Sequence, residues 1–274
     1  MDRLRFCVWL MAGLMFAASP SLVHAEASPA ATQMDTASAV HLAGRERMLS
    51  QRMVKAYLMQ GQGIAADNAQ GILQESIRQF ESQLAALKTF QPTPIVRSAV
   101  VKLDAAWAKC KALLAAAPSK GGAVDLYDAN EALQQAAHSA TLAYEDVTGA
   151  PLEHLINLAG RQRMLSQRMA KFYFYRTWEL YDDPADMELH LSRAHFTAVL
   201  IQLESSPLIS APIKAFVAQV RHEWEPYQQA LFASRDPATM RKDAAHVAEL
   251  SERLLARTEE LVALIVKEAQ GTPR

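Results

Sequence analysis

The 274-residue chain has little cysteine, few strand-like runs and no excess of either charge. It has two cysteines, and only Cys110 lies beyond the N-terminal segment. No disulfide is therefore available to the body of the chain, whose stability must come from core burial. The helical spacing of apolar residues around Cys110 marks it as a packed thiol, not a reactive one. Lys and Arg together number 28 against 29 Asp and Glu, so no basic field exists to hold nucleic acid. The eight His residues form no H-E-x-x-H pair and no Glu-x-x-His pair of the di-iron bundle kind. Asp243 and His246 stand alone, and His190 and His195 are poorly spaced for one metal. There is no G-x-S-x-G, no Walker loop and no C-x-x-C-H. An enzyme is not expected, nor is a cofactor or a metal.

Long hydrophobic runs are also missing after the N-terminus. Residues 1–25 read as a secretory signal: Arg3 and Arg5, then an apolar run from Phe6 to Ala18, then Val23-His24-Ala25 as a small-x-small site. Cleavage is expected after Ala25, with an uncleaved anchor as the alternative. The run is shorter than the ~20 residues of a membrane span. Residues 26–34 are small and polar and are expected to be disordered. The remainder should be exported and periplasmic, without a membrane helix or output domain of its own.

What is present is a repeat. Residues 41–57 read HLAGRERMLSQRMVKAY and residues 157–173 read NLAGRQRMLSQRMAKFY, with thirteen of seventeen positions identical at an offset of 116. This is an internal duplication. Its residues are good helix formers. At 100° per residue, Leu42, Leu49, Met53 and Ala56 fall on one side, facing the core of their own bundle. Ala43, Gly44, Arg47, Gln51 and Val54 fall on the opposite side. A Gly inside a helix costs about 1 kcal/mol relative to Ala, so close approach of another helix is its expected purpose. Arg47 with Gln51, and Arg163 with Gln167, lie one turn apart, and a planar guanidinium suits a planar oxyanion. Arg45 and Arg52 point elsewhere and read as ordinary solvated charges. Ser50 and Ser166 have no evident base and read as packing or ligand contacts.

The motif A-G-R-x-R-M-L-S-Q-R-M resembles the helix-one signature of the PilJ-type sensor domain, the N-terminal domain of type IV pilus methyl-accepting chemotaxis transducers. That domain is related to the periplasmic domain of NarX-like nitrate/nitrite sensor kinases. The resemblance implies a four-helix bundle that pairs through helix one, with nitrate between two copies of the Arg that precedes Met. Carried over by position, that Arg is Arg47, and Arg163 in the second copy. Arg52 and Arg168 match the later Arg of the signature, and the resemblance adds them to the expected ligand-binding set. This sequence departs from the kinases two residues before the anion-binding Arg, at Arg45 and Arg161.

The fold expected is all-α, with two tandem antiparallel four-helix modules at 35–148 and 149–270. Helix one should run over 35–64 and weaken near Gly61 and Gly63. Breaks fall at 91–94, 118–122, 148–151, 182–184, 205–212 and 236–237. Trp107 and Trp224 extend the duplication past the motif. The aromatic run over 172–181 reads as core, with a pocket lining as the alternative, and Pro226 should kink its helix. A tight turn at 148–151 would set the two motif helices side by side and parallel; a continuous kinked helix would stack the modules end to end. Both arrangements are compatible with the spacing.

The leading reading is a periplasmic sensor-type protein that binds a small oxyanion, nitrate- or nitrite-like. Arg47 and Arg163 would supply charge, Gly44 and Gly160 close approach, and Gln51 and Gln167 further donors. Output would pass to a partner, a membrane receptor or a second copy of the chain. The alternative is a non-enzymatic adaptor that uses the repeated helix for protein association.

Overall fold

Prolines and polar caps cut the apolar pattern into eight helices. In this computed structural model residues 34–271 are described, and they contain helices only. The expected signal at 1–25, the segment 26–33 and residues 272–274 lie outside the described residues. The helices are α1 (Thr36–Gly61), α2 (Ala66–Thr89), α3 (Pro94–Leu114), α4 (Lys120–Glu145), α5 (Pro151–Thr177), α6 (Asp182–Ser205), α7 (Ala211–Leu231) and α8 (Pro237–Gly271). Their starts follow side-chain chemistry. Asp35 accepts from the Ser38 amide at 2.7 Å, Thr93 from Val96 at 3.2 Å and Ser119 from Gly122 at 3.1 Å. Each bond satisfies an amide that the first turn would otherwise leave open. Pro94, Pro151 and Pro237 begin their helices, where the missing N–H costs nothing.

The duplication extends into turns whose sequences have diverged. Gly63 and Ala65 have positive φ, 68° and 43°, where α1 turns into α2. Glu179 and Tyr181 have φ of 58° and 55° at the matching points between α5 and α6. A left-handed residue other than Gly costs roughly 1–2 kcal/mol. Glu179 is exposed, and its contact with Lys120 is a long 3.9 Å surface pair. Glu179→Gly, which copies Gly63, is therefore expected to raise stability by about 1 kcal/mol, read as a higher urea midpoint at unchanged slope.

Within each half, consecutive helices run antiparallel. Asn130 of α4 meets Ser50 of α1 while Tyr57, further along α1, meets Ser119 at the start of α4. In the second half Gln167 meets Ser251 and Tyr173 meets Met240. Each half has a matched aromatic wedge. Phe80 stacks on Trp107 and Phe196 on Trp224, both pairs at 4.4 Å between ring centroids. Cys110 is buried, and burial pushes its thiol up to about 12, as befits packing. Phe172, Tyr173, Phe174 and Tyr175 are buried core. Pro226 lies within α7, which runs on to Leu231.

The two halves lie side by side. α4 ends at Glu145, Gly149 turns the chain at φ 61°, and Pro151 starts α5. α1 and α5 then pack along their length in parallel. Contacts run from the early turns of both helices to their ends: Arg163 with His41 and Arg47 with Asn157 first, then Arg168 with Gln51, and Thr177 with Gln62 last. The end-to-end alternative is excluded, and the eight helices make one compact unit. Both faces of α1 are buried, one by its own module and one by α5.

Candidate functional site

Three layers of polar residues cross the α1/α5 interface, related by a pseudo-twofold axis. The first holds Gly44, Gly160, Arg47 and Arg163. A β-carbon on Gly44 would lie 3.3 Å from Nη2 of Arg47 and 3.6 Å from Nη2 of Arg163. On Gly160 the corresponding distances are 3.6 and 3.2 Å. The glycines thus let the helix backbones approach and leave room for two guanidiniums at one place. Both arginines are fully buried, and the Nε of each has no hydrogen-bond partner.

The two arginines have different partners. Arg163 donates from Nη1 to Glu259 Oε2 at 3.0 Å and from Nη2 to the His41 carbonyl at 3.4 Å. Arg47 instead meets His138 Nδ1 at 3.3 Å and donates from Nη2 to Asn157 Oδ1 at 2.8 Å. Burial, and then the charges of Arg161 and Arg163, push Arg47 down to about 9, so it remains a cation at neutral pH. Burial also lowers Arg163, opposed by Glu259. Both histidines near these arginines are held below their ordinary value. Burial and Arg163 bring His41 to about 3, and burial with Arg47 and Arg161 lowers His138.

The second layer lies one turn on. Ser50 and Ser166 donate to the carbonyls of Arg47 and Arg163 at 2.7 and 2.8 Å, so they are packed inside the helix. Gln51 Nε2 donates to Asn130 Oδ1 at 3.2 Å and Gln167 Nε2 to the Ser251 carbonyl at 3.0 Å. The expected amide donors are thus committed to α4 and α8.

The third layer corrects the reading of Arg52 as a solvated charge. Arg52 donates to Glu252 of α8 at 2.5 Å, and the buried Lys55 joins the same carboxylate. In the second copy Arg168 and Lys171 hold Glu131 of α4, at 2.8 and 2.6 Å. Each motif helix is therefore clamped by a carboxylate from the opposite module. Arg45 is not a free charge either, since it donates to Glu259 at 2.9 Å. Burial works against ionisation of Glu131, Glu252 and Glu259, but the facing cations bring each down to about 2.

Among the expected site residues, Gly44, Gly160, Arg47 and Arg163 come together. Gln51, Gln167, Arg52 and Arg168 lie in the layers beyond them. Sequence reasoning did not pick out Glu131, Glu252, Glu259 or His138, which reach the motif from other positions of the chain, nor Asn157, which opens its second copy. The paired Asn130-Glu131 and Ser251-Glu252, each one turn or less from a buried α4 or α8 stripe, were the available signal.

Glu46, where the second copy has Gln162, is a separate case. Both its carboxyl oxygens are buried without a partner, and burial raises its pKa well above the ordinary value. A carboxyl raised in the folded state holds its proton there more tightly than in the unfolded chain. Its contribution to stability is therefore lost as pH rises above the unfolded value of about 4.3. Glu46→Gln is expected to raise the urea midpoint at pH 8, with the gain shrinking towards pH 5. A gain equal at both pH values would refute the buried-acid account.

The geometry defines a class: a tandem four-helix bundle built on a duplicated, arginine-bearing helix pair. The family model for the type IV pili methyl-accepting chemotaxis transducer N-terminal domain, PilJ, matches twice, at residues 30–133 and 152–252. The chain belongs to this PilJ family, and it is a sensor-type domain present in tandem. Comparisons with curated proteins and with solved structures gave no match. No described helix is long and apolar enough to cross a membrane.

Proposed function

We propose that the protein is an exported, periplasmic sensor that binds a small oxyanion at the interface of its two motif helices. Modules 35–148 and 149–270 would act as the two halves of one receptor, with residues 1–25 directing export. The observation that carries this reading is the pair of fully buried guanidiniums beside Gly44 and Gly160. Two like charges in a medium of low dielectric repel, and an anion near them removes that cost. Nitrate, nitrite and small carboxylates all have the planar shape that a guanidinium fork accepts. Ligand occupancy would alter how α1 sits against α5, and a partner such as a membrane receptor would read that change.

The adaptor reading is weaker. It needs the repeated helix face free for another protein, and that face is filled by the other copy within the chain.

A thermal-shift titration with nitrate, nitrite and acetate at constant ionic strength tests the proposal. Binding to the folded state alone raises the melting temperature with concentration. The shift should disappear in Arg47→Ala. If no anion gives a saturable shift, the sensor reading in this form fails.

A further inference from the structure

The pseudo-twofold of the arginine layer is broken where Glu259 on one side is answered by His138 on the other, and the break points to a ligand. Glu131 and Glu252 occupy matching places, each holding the Arg-Lys pair of the opposite motif helix. Two helical turns after Glu252 stands Glu259; two turns after Glu131 stands His138. On the Glu259 side, one carboxylate joins Nε of Arg45 and Nη1 of Arg163, at 2.9 and 3.0 Å. On the His138 side, the matching cations are Arg161 and Arg47. Among the described residues Arg47 has only the His138 ring and Asn157 as hydrogen-bond partners, and Asn157 in turn donates to Glu145. Arg161 has no hydrogen-bond or ion-pair partner among the described residues.

This side is also open. A cleft of about 340 Å³ is lined by Arg47, Arg161 and His138, by the apolar Met164, Leu165 and Leu191, and by polar side chains of α4 and α6. The two carboxylates among its lining, Glu131 and Glu188, are engaged by Arg168 at 2.8 and 2.9 Å. The cleft therefore presents Arg161, partly exposed and without a carboxylate partner among the described residues, in front of the buried Arg47, with apolar side chains beside it.

We infer that a small organic monocarboxylate binds in this cleft, its carboxylate on Arg161 in front of the buried Arg47 and in the place of Glu259 in the other half, and its short alkyl chain against Met164, Leu165 and Leu191. The inference rests on the sensor reading above but places the ligand off the α1/α5 axis. It also sets its class: the internal counterpart is a carboxylate, and Met164, Leu165 and Leu191 give an alkyl chain apolar contact that nitrate cannot use. Volume is ample, since a water molecule takes only about 30 Å³ of liquid.

The test is a set of thermal-shift titrations of the purified chain with sodium propionate, acetate and nitrate at constant ionic strength. Propionate at a hundredfold excess over Kd should raise the melting temperature by roughly 5–10 °C. His138→Glu supplies the missing carboxylate from within the chain. It should raise the melting temperature of the ligand-free protein and abolish the propionate shift. Arg161→Gln should abolish the shift too, and both positions are partly exposed at the cleft wall, which favours folding of both variants. Arg163→Gln should keep it, because Arg163 faces the other side. A shift that survives Arg161→Gln and His138→Glu but is lost in Arg163→Gln overturns the cleft and leaves the axial oxyanion site standing. A nitrate shift larger than that of propionate overturns the ligand class. No saturable shift with any of the three overturns both this inference and the sensor reading.

Discussion

Glu259→Gln is expected to lower the stability of the protein by about 3 kcal/mol, which for a unit of this size is a fall in melting temperature of roughly 10 °C. The side chain of Arg163 has no exposure, and Glu259 is its carboxylate, with 23 % of its own side chain exposed. Removing one partner of a buried pair leaves an uncompensated charge, at a cost of about 3–5 kcal/mol. The partial exposure of Glu259 places the expectation at the lower end. In the variant, the Arg163 side becomes chemically like the Arg47 side: a buried guanidinium, a second arginine and no carboxylate. Acetate should then restore part of the lost stability. A fall of less than 1 kcal/mol, or indifference to acetate, would show that Arg163 finds other compensation.

The same carboxylate sets the response to acid. Glu131, Glu252 and Glu259 are each held at about 2 by their cations, against an unfolded value near 4.3. Their stabilising contribution is full above the unfolded value and is lost as pH falls from there towards 2. The wild-type protein should therefore lose stability steeply between about pH 5 and pH 2. Glu259→Gln should show a shallower slope over that window, by up to one proton.

These carboxylates also mark where sequence reading stopped. The helices were legible because apolar spacing, prolines and caps agree locally, as at Thr93-Pro94 and Ser119. The duplication was legible because the motif helix is packed on both faces, and Arg47, Gly44 and their copies tolerate few alternatives. The side-by-side placement of α1 and α5 was not legible. It depends on whether residues 146–150 turn or continue the helix, and a few φ angles around Gly149 decide that. Glu259 and His138 were not legible as counterparts either. They lie on α4 and α8, whose sequences have diverged, and their equivalence emerges only through what they touch. Arg45 and Arg52 read as solvated charges because the carboxylates that cover them come from more than 200 residues away in Arg45–Glu259 and 200 in Arg52–Glu252.

The largest effect is expected where both clamps are cut. In Glu131→Gln the buried Lys171 keeps Asn130 Oδ1 at 2.9 Å but loses its counterion, while Arg168 keeps Glu188. In Glu252→Gln the buried Lys55 keeps Ser251 Oγ at 3.0 Å, and Arg52 keeps only Ser76 at 3.3 Å. Each loss costs about 3 kcal/mol by the reasoning given for Glu259, since Glu131 and Glu252 are partly exposed as well. The two sites share no partner, so the effects should nearly add. A total stability of about 5–15 kcal/mol leaves little after both changes. The double variant should therefore be largely unfolded near 37 °C, while each single variant folds, as measured by circular dichroism and urea titration. The origin of the effect can be separated from the mere loss of glutamate. Combining Glu131→Leu with Lys171→Met removes both charges and fills the space with apolar side chains of similar size, and Asn130 still accepts from Gln51. That variant should recover to within about 1 kcal/mol of the parent, because replacing a whole buried pair is often neutral where halving it is not. Failure to recover would mean that Glu131 holds α4 against α5 by shape and hydrogen bonding, and not by charge.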